Sequence, residues 1–247
     1  MKRFDAAFVA LATALAVAAA CTSKTAGVPI ELTLAFEGAG PRRFVTASGW
    51  EVELSEARAL VGPVYAYAPA GASALRRVLG PARAFAHGGT HPFGGRVVRA
   101  ELLELAVLDA LAGTRDVATL GGLAGEVEAL TLVLAGPEDA AREPATHGHA
   151  VWVAGVARRD GAEVAFEGGL DLADERLRRI DGIEVGAALE DGARLVVGAD
   201  PSAWLAEADF TGVSEGALAP DGQPLRALFL GARSAASFTA RIEPQSE

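Results

Sequence analysis

Hydrophobic and polar residues alternate along much of this chain. Ile30, Leu32, Leu34 and Phe36 share one parity, and Glu31, Thr33 and Glu37 take the other. Successive side chains of a strand point to opposite faces, so the pattern predicts a half-buried strand from Pro29. Trp50, Val52 and Leu54 stand against Glu51 and Glu53 in the same way. Residues 58–68, with Leu60, Val61, Val64, Tyr65 and Tyr67, predict another strand interrupted by Gly62-Pro63.

The clearest hairpin lies in the middle. Val151 to Ala157 runs into Arg158-Arg159-Asp160-Gly161, and Glu163 to Leu172 then alternates through Val164, Phe166, Leu170 and Leu172. Asp-Gly favours a two-residue turn because both central residues need positive φ. Asp191-Gly192 predicts a second hairpin joining Ile183–Leu189 to Arg194–Val197, and Asp181-Gly182 and Asp221-Gly222 mark further turns. Phe238, Ala240 and Ile242 predict a last strand. Asp200-Pro201 opens a short helix, with Asp as N-cap and Pro at the first helical position. Residues 99–112 fit a helix ending at Gly113 and fit a strand equally well. Many short strands at turn-punctuated spacing predict an all-β fold, an antiparallel β-sandwich of jelly-roll-like layout with one or two short helices.

Composition adds an address. Lys2 and Arg3 precede an uncharged, Ala-rich stretch from Ala6 to Ala20. At 15 residues it is shorter than the about 20 needed to span a bilayer, and it fits the apolar region of a signal peptide. Cys21, the only cysteine, follows Val17-Ala18-Ala19-Ala20. That run resembles the lipobox of bacterial lipoproteins, in which the cysteine is acylated and becomes the first mature residue. Cleavage after an A-x-A site would instead leave a lone thiol in an oxidising compartment. By the same resemblance, Thr22 after the cysteine implies transfer to the outer membrane. The expected organisation is a signal peptide over 1–20, a lipidated tether over 21–28 and a single β-sandwich domain over 29–243.

Loss of residues 1–20 removes two basic groups and one acidic group and moves the net charge from −10 to −11. So acidic a chain has no electrostatic case for binding nucleic acid or anionic lipid. With one cysteine there is no intrachain disulfide, so the domain must fold on its hydrophobic core, and about 227 residues suffice.

The candidate chemistry rests on four histidines in two pairs. His87 and His91 bracket a glycine-rich loop, Ala86-His87-Gly88-Gly89-Thr90-His91. His147 and His149 form an H-x-H pair at the start of a predicted strand, where residues two apart face one side roughly 7 Å apart. Neutral imidazole suits copper and zinc, and the four together would make a metal site. Histidines in glycine-rich loops and at strand ends are also commonly exposed without any ligand. Glu143 and Glu163 are candidate carboxylates by proximity. Trp152 is out of phase with His149 and Val151, which predicts that it faces the opposite side of its strand. Trp50, Trp152 and Trp204 are expected to pack in the core or at its edge. Gly212-Val213-Ser214-Glu215-Gly216 matches G-x-S-x-G as a string, but its polar flanks predict a loop rather than a nucleophile elbow. No nucleophile, base and orienting group stand out as a set.

Thr46 to Leu54 with Gly62-Pro63-Val64-Tyr65, the Ala86-His87 loop, Gly155 to Phe166, and Asp200-Pro201 with Trp204 and Phe210 resemble uncharacterised lipoproteins of myxobacteria and related deltaproteobacteria. In that group the loop histidines stand closer together than His87 and His91. More weakly, the layout resembles the periplasmic copper-binding protein family encoded with methanobactin systems. That likeness implies a β-sandwich and a copper role. The expectation is a lipid-anchored envelope protein that binds rather than catalyses. Its ligand is either copper or zinc, held by His87, His91, His147 and His149, or a protein or polysaccharide partner docked without metal.

Overall fold

The structure, a computed structural model, describes residues 28–69 and 97–244. The expected signal peptide, Cys21, and two of the candidate ligands, His87 and His91, lie outside the described residues. What is described is mostly β: thirteen strands in one mixed sheet, with few helices. Among the described residues, no helix is long and apolar enough to cross a membrane.

The alternation from Pro29 forms β1 (Pro29–Gly38), with Leu32, Leu34 and Phe36 buried. Its period breaks at Ala35, also buried, where the pairing with β6 (Arg115–Leu123) slips. A bulge of this kind interrupts the two-residue repeat. The two segments expected around Trp50 and Tyr65 are one strand, β3 (Glu51–Tyr67), which continues through Gly62-Pro63 with a register shift between Val61 and Val64. A Cβ on Gly62 would overlap the backbone of Glu104, so the interruption is a site of close backbone approach, not a strand end.

β3 organises the sheet. Its first half pairs with β2 (Arg43–Val45) and β8 (Val151–Arg159). Its second half pairs with β4 (Val98–Leu102) and β7 (Gly125–Leu134), and β5 (Ala106–Asp109) joins between them. Residues 99–112 therefore contribute strands β4 and β5 and no helix. The hairpin at Asp160-Gly161 forms as expected between β8 and β9 (Ala162–Leu170), with φ of 53° and 82° at the two turn residues.

Asp191-Gly192 does not close a hairpin. β10 (Arg179–Leu189) pairs with β7, and β11 (Arg194–Ala199) pairs with β1 and with β13 (Phe238–Glu243). The turn is clasped to β1 instead: Glu31 N–H donates to the Asp191 carboxylate, and Gly192 N–H donates to the Glu31 carbonyl. Asp181-Gly182 is a bulge inside β10 rather than a turn. Nor is the sheet wholly antiparallel, because β11 runs parallel to β1 and β12 (Gly216–Ala217) parallel to β9. The described residues contain four short α-helices, not one or two: α1 (Pro137–Ala140), α2 (Glu175–Arg178), α3 (Pro201–Trp204) and α4 (Gln223–Gly231). α3 is capped as expected, its Asp200 carboxylate accepting from Ser202 N–H and Ala203 N–H.

One large core cluster runs through these elements, and Leu60, Ala135 and Ala140 form a small second one. Leu34 of β1, Leu54 of β3, Leu132 of β7 and Val197 of β11 bury their side chains in the large cluster with Trp204 and Phe210. Each of these aliphatic side chains, and Phe210, contributes about 1.5–3 kcal/mol on burial. β10 also lies against β13, although no ladder joins them.

Candidate functional site

Trp152 lies in β8 between Arg58 of β3 and Gly169 of β9. Val151 and Val153 enter the core, so Trp152 falls on the outer face. An exposed indole there would leave a large apolar surface in water, yet Trp152 is only 9% exposed. The segment before β8 covers it.

That segment is a 3₁₀ turn at Pro144–Thr146 followed by His147 and Gly148 at φ of 52° and 85°. The left-handed step folds the chain back before β8 begins at Val151. His147 and His149 are therefore turn residues, and the two-residue strand spacing expected of them does not apply. Their rings come together by another route. His147 stacks on Trp152 at a centroid distance of 4.4 Å and 30°, and His149 at 5.5 Å and 12°. Trp152 thus shares a face with both histidines, contrary to the expectation from alternation.

Each imidazole is held by its own carboxylate. His147 Nε2 lies 3.2 Å from Glu56 Oε2, and His149 Nδ1 lies 3.1 Å from Asp171 Oδ2. An ionised carboxylate only accepts, so His147 donates from Nε2 and His149 from Nδ1. In the neutral rings the remaining lone pairs are on His147 Nδ1 and His149 Nε2. Arg58 ties the assembly to the sheet: its guanidinium pairs with Glu56 at 3.2 Å and Asp109 at 3.5 Å and donates to the Ala145 carbonyl. The two carboxylates expected near the histidines serve elsewhere. Glu143 accepts from Ala145 N–H and caps the 3₁₀ turn, and Glu163 pairs with Arg158 across the hairpin. Glu56 is 91 residues from His147 in the chain, and no spacing in the sequence connects them.

Beside His149 opens a groove of about 730 Å³ between β9 and α4. Trp152, Leu218, Leu225 and Phe229 line it with Glu167 and Asp221. Trp50 and Trp204 are core residues, 3% and 0% exposed. Trp50 also donates from Nε1 to Asp209, and Arg159 stacks on its ring at 4.6 Å. Hydrogen bonds from Thr211 hold the Asp209 carboxyl below its ordinary value. Gly212 to Ser214 of the G-x-S-x-G string form a loop, as expected. Among the described residues, no group of three or more His, Cys, Asp or Glu side chains is placed to hold a metal ion. Comparison with known protein families, curated proteins and solved structures finds no match to this chain.

Proposed function

We propose that this chain is a lipid-anchored binding protein of the cell envelope, tethered to the outer membrane through Cys21, and that its binding centre is the paired imidazoles on Trp152. The export signal and its lipobox-like end support the address. The observation that supports the centre is the carboxylate on one nitrogen of each ring. Metal-ligating histidines characteristically donate their other ring N–H to a carboxylate, which orients the ring and raises its basicity. His147 with Glu56 and His149 with Asp171 fit that arrangement. Two imidazoles alone make an incomplete site, so His87 and His91 would supply the remaining ligands for copper or zinc. We read the thirteen-stranded sheet as a jelly-roll-like sandwich, supported by β10 lying against β13 and by one large core cluster that draws side chains from most of the strands. An experimental structure whose two layers do not face each other would overturn that reading.

The test is a Cu(II) and Zn(II) titration of the full chain in detergent, beside a His147→Ala/His149→Ala variant. Stoichiometric binding that the variant loses supports the metal centre. Binding no tighter than that of an ordinary surface histidine refutes it and leaves an envelope module that docks a partner without metal. For the anchor, labelling with a radioactive fatty acid should mark the protein and fail with Cys21→Ala.

A further inference from the structure

β9 is covered on one side only for most of its length. β8 pairs with it from Ala162 to Leu170, whereas β12 meets its other edge only at Phe166 and Glu167. Leu218 N–H donates to the Glu167 carbonyl at 2.7 Å, and the chain then leaves through Pro220 toward α4. That bond sets the phase of the edge. Glu167 turns its backbone polar groups away from β8, and by the two-residue period so does Gly169. Among the described residues no hydrogen-bond partner meets the Gly169 N–H or C=O on that side. Gly169 is partly exposed and lines the groove.

The groove has a definite charge. Glu167 and Asp221 are exposed on it and have no ion-pair or hydrogen-bond partner for their carboxylates among the described residues. Asp171 is taken by His149, and Arg226 is the one arginine on the lining. Leu218, Leu225 and Phe229 supply apolar surface beside these groups. The volume falls in the range of roughly 300–1,000 Å³ usual for sites that enclose a ligand.

We propose that the groove binds an extended peptide segment carrying a basic side chain. The segment adds to β9 at Gly169 as a further strand and directs its cation to Glu167 and Asp221. Strand addition takes affinity from main-chain hydrogen bonds and selectivity from pockets for alternate side chains. The free edge supplies the first and the acidic, partly apolar groove the second. Neither imidazole need bind metal for this to operate.

The experiment uses the full chain in detergent with chelator present, so the outcome is separate from metal binding at the histidines. The probes are the capped peptide Val-Arg-Val-Arg-Val, its Glu-for-Arg counterpart, and two copies of the first N-methylated at alternate amides. Binding is read from the Gly169 amide resonance and its hydrogen exchange. The Arg peptide should shift that amide and slow its exchange, and one of the N-methylated copies should lose binding. The surface variant Glu167→Gln/Asp221→Asn should weaken binding about three- to tenfold. The proposal is overturned if the Glu peptide binds as tightly, if both N-methylated copies bind like the parent, or if no peptide moves the Gly169 amide.

Discussion

The imidazole of His149 occupies the space that a Cβ on Gly169 would fill. Gly169 lies opposite Trp152 in the β8–β9 ladder, so its missing side chain leaves a hollow beside the indole. The ring settles into that hollow, stacks on Trp152 and reaches Asp171. Gly169→Ala should expel His149. The expected cost is about 1–3 kcal/mol, as for overpacking elsewhere. Urea denaturation checks this, with tryptophan fluorescence reporting the lost stacking. An unchanged midpoint and spectrum would show that the hollow is not required.

Glu37 and Arg241 make a second cross-strand relationship, with a pH dependence. They pair across β11, over Gly198, where a side chain would overlap Thr239. The hydrogen bond from Arg241 is the main cause holding the Glu37 carboxyl below its ordinary value of 4.5; Thr114 adds to it and burial opposes it. The unfolded chain then binds a proton more readily than the folded one, so stability rises with pH. The contribution is complete above about the ordinary value and is lost as pH falls through the lowered one. Glu37→Gln should be less stable at neutral pH and lose less on acidification. Denaturation midpoints across the acid range test this, and an acid slope equal to the parent's would sink it.

At α3 the Asp200 carboxylate accepts from Ser202 N–H, a backbone group that the first turn leaves without a helical partner, and also from the Ser202 hydroxyl. Asp200→Ala should cost about 0.5–2 kcal/mol. Asp200→Asn should recover most of that, because an amide oxygen still accepts. Equal loss in both variants would place the effect in charge rather than capping.

Leu34 is fully buried in the core and sits in β1, between β6 and β11. Leu34→Ala should destabilise by about 2–5 kcal/mol through lost burial and the cavity left behind. The equilibrium unfolding midpoint measures it, and a loss below about 1 kcal/mol would contradict the burial of Leu34 in the core.

The sequence by itself determined features whose cause is local. Alternation set β1, Asp160-Gly161 set the β8–β9 turn, and Asp200-Pro201 started α3, because side-chain parity, positive φ and capping act over a few residues. Tertiary structure decided which strands meet. Asp191-Gly192 carries hairpin chemistry, yet its bonds go to Glu31, 160 residues away. A turn-forming dipeptide bends the chain without choosing a ladder partner. The site depended on the same step. His147 and His149 were visible as a pair, but their stacking on Trp152 needed the left-handed turn at His147, the hollow at Gly169 and Glu56 from a strand paired with β8. Those groups come together only when the sheet forms, since through-space contacts between distant residues leave no spacing in the chain.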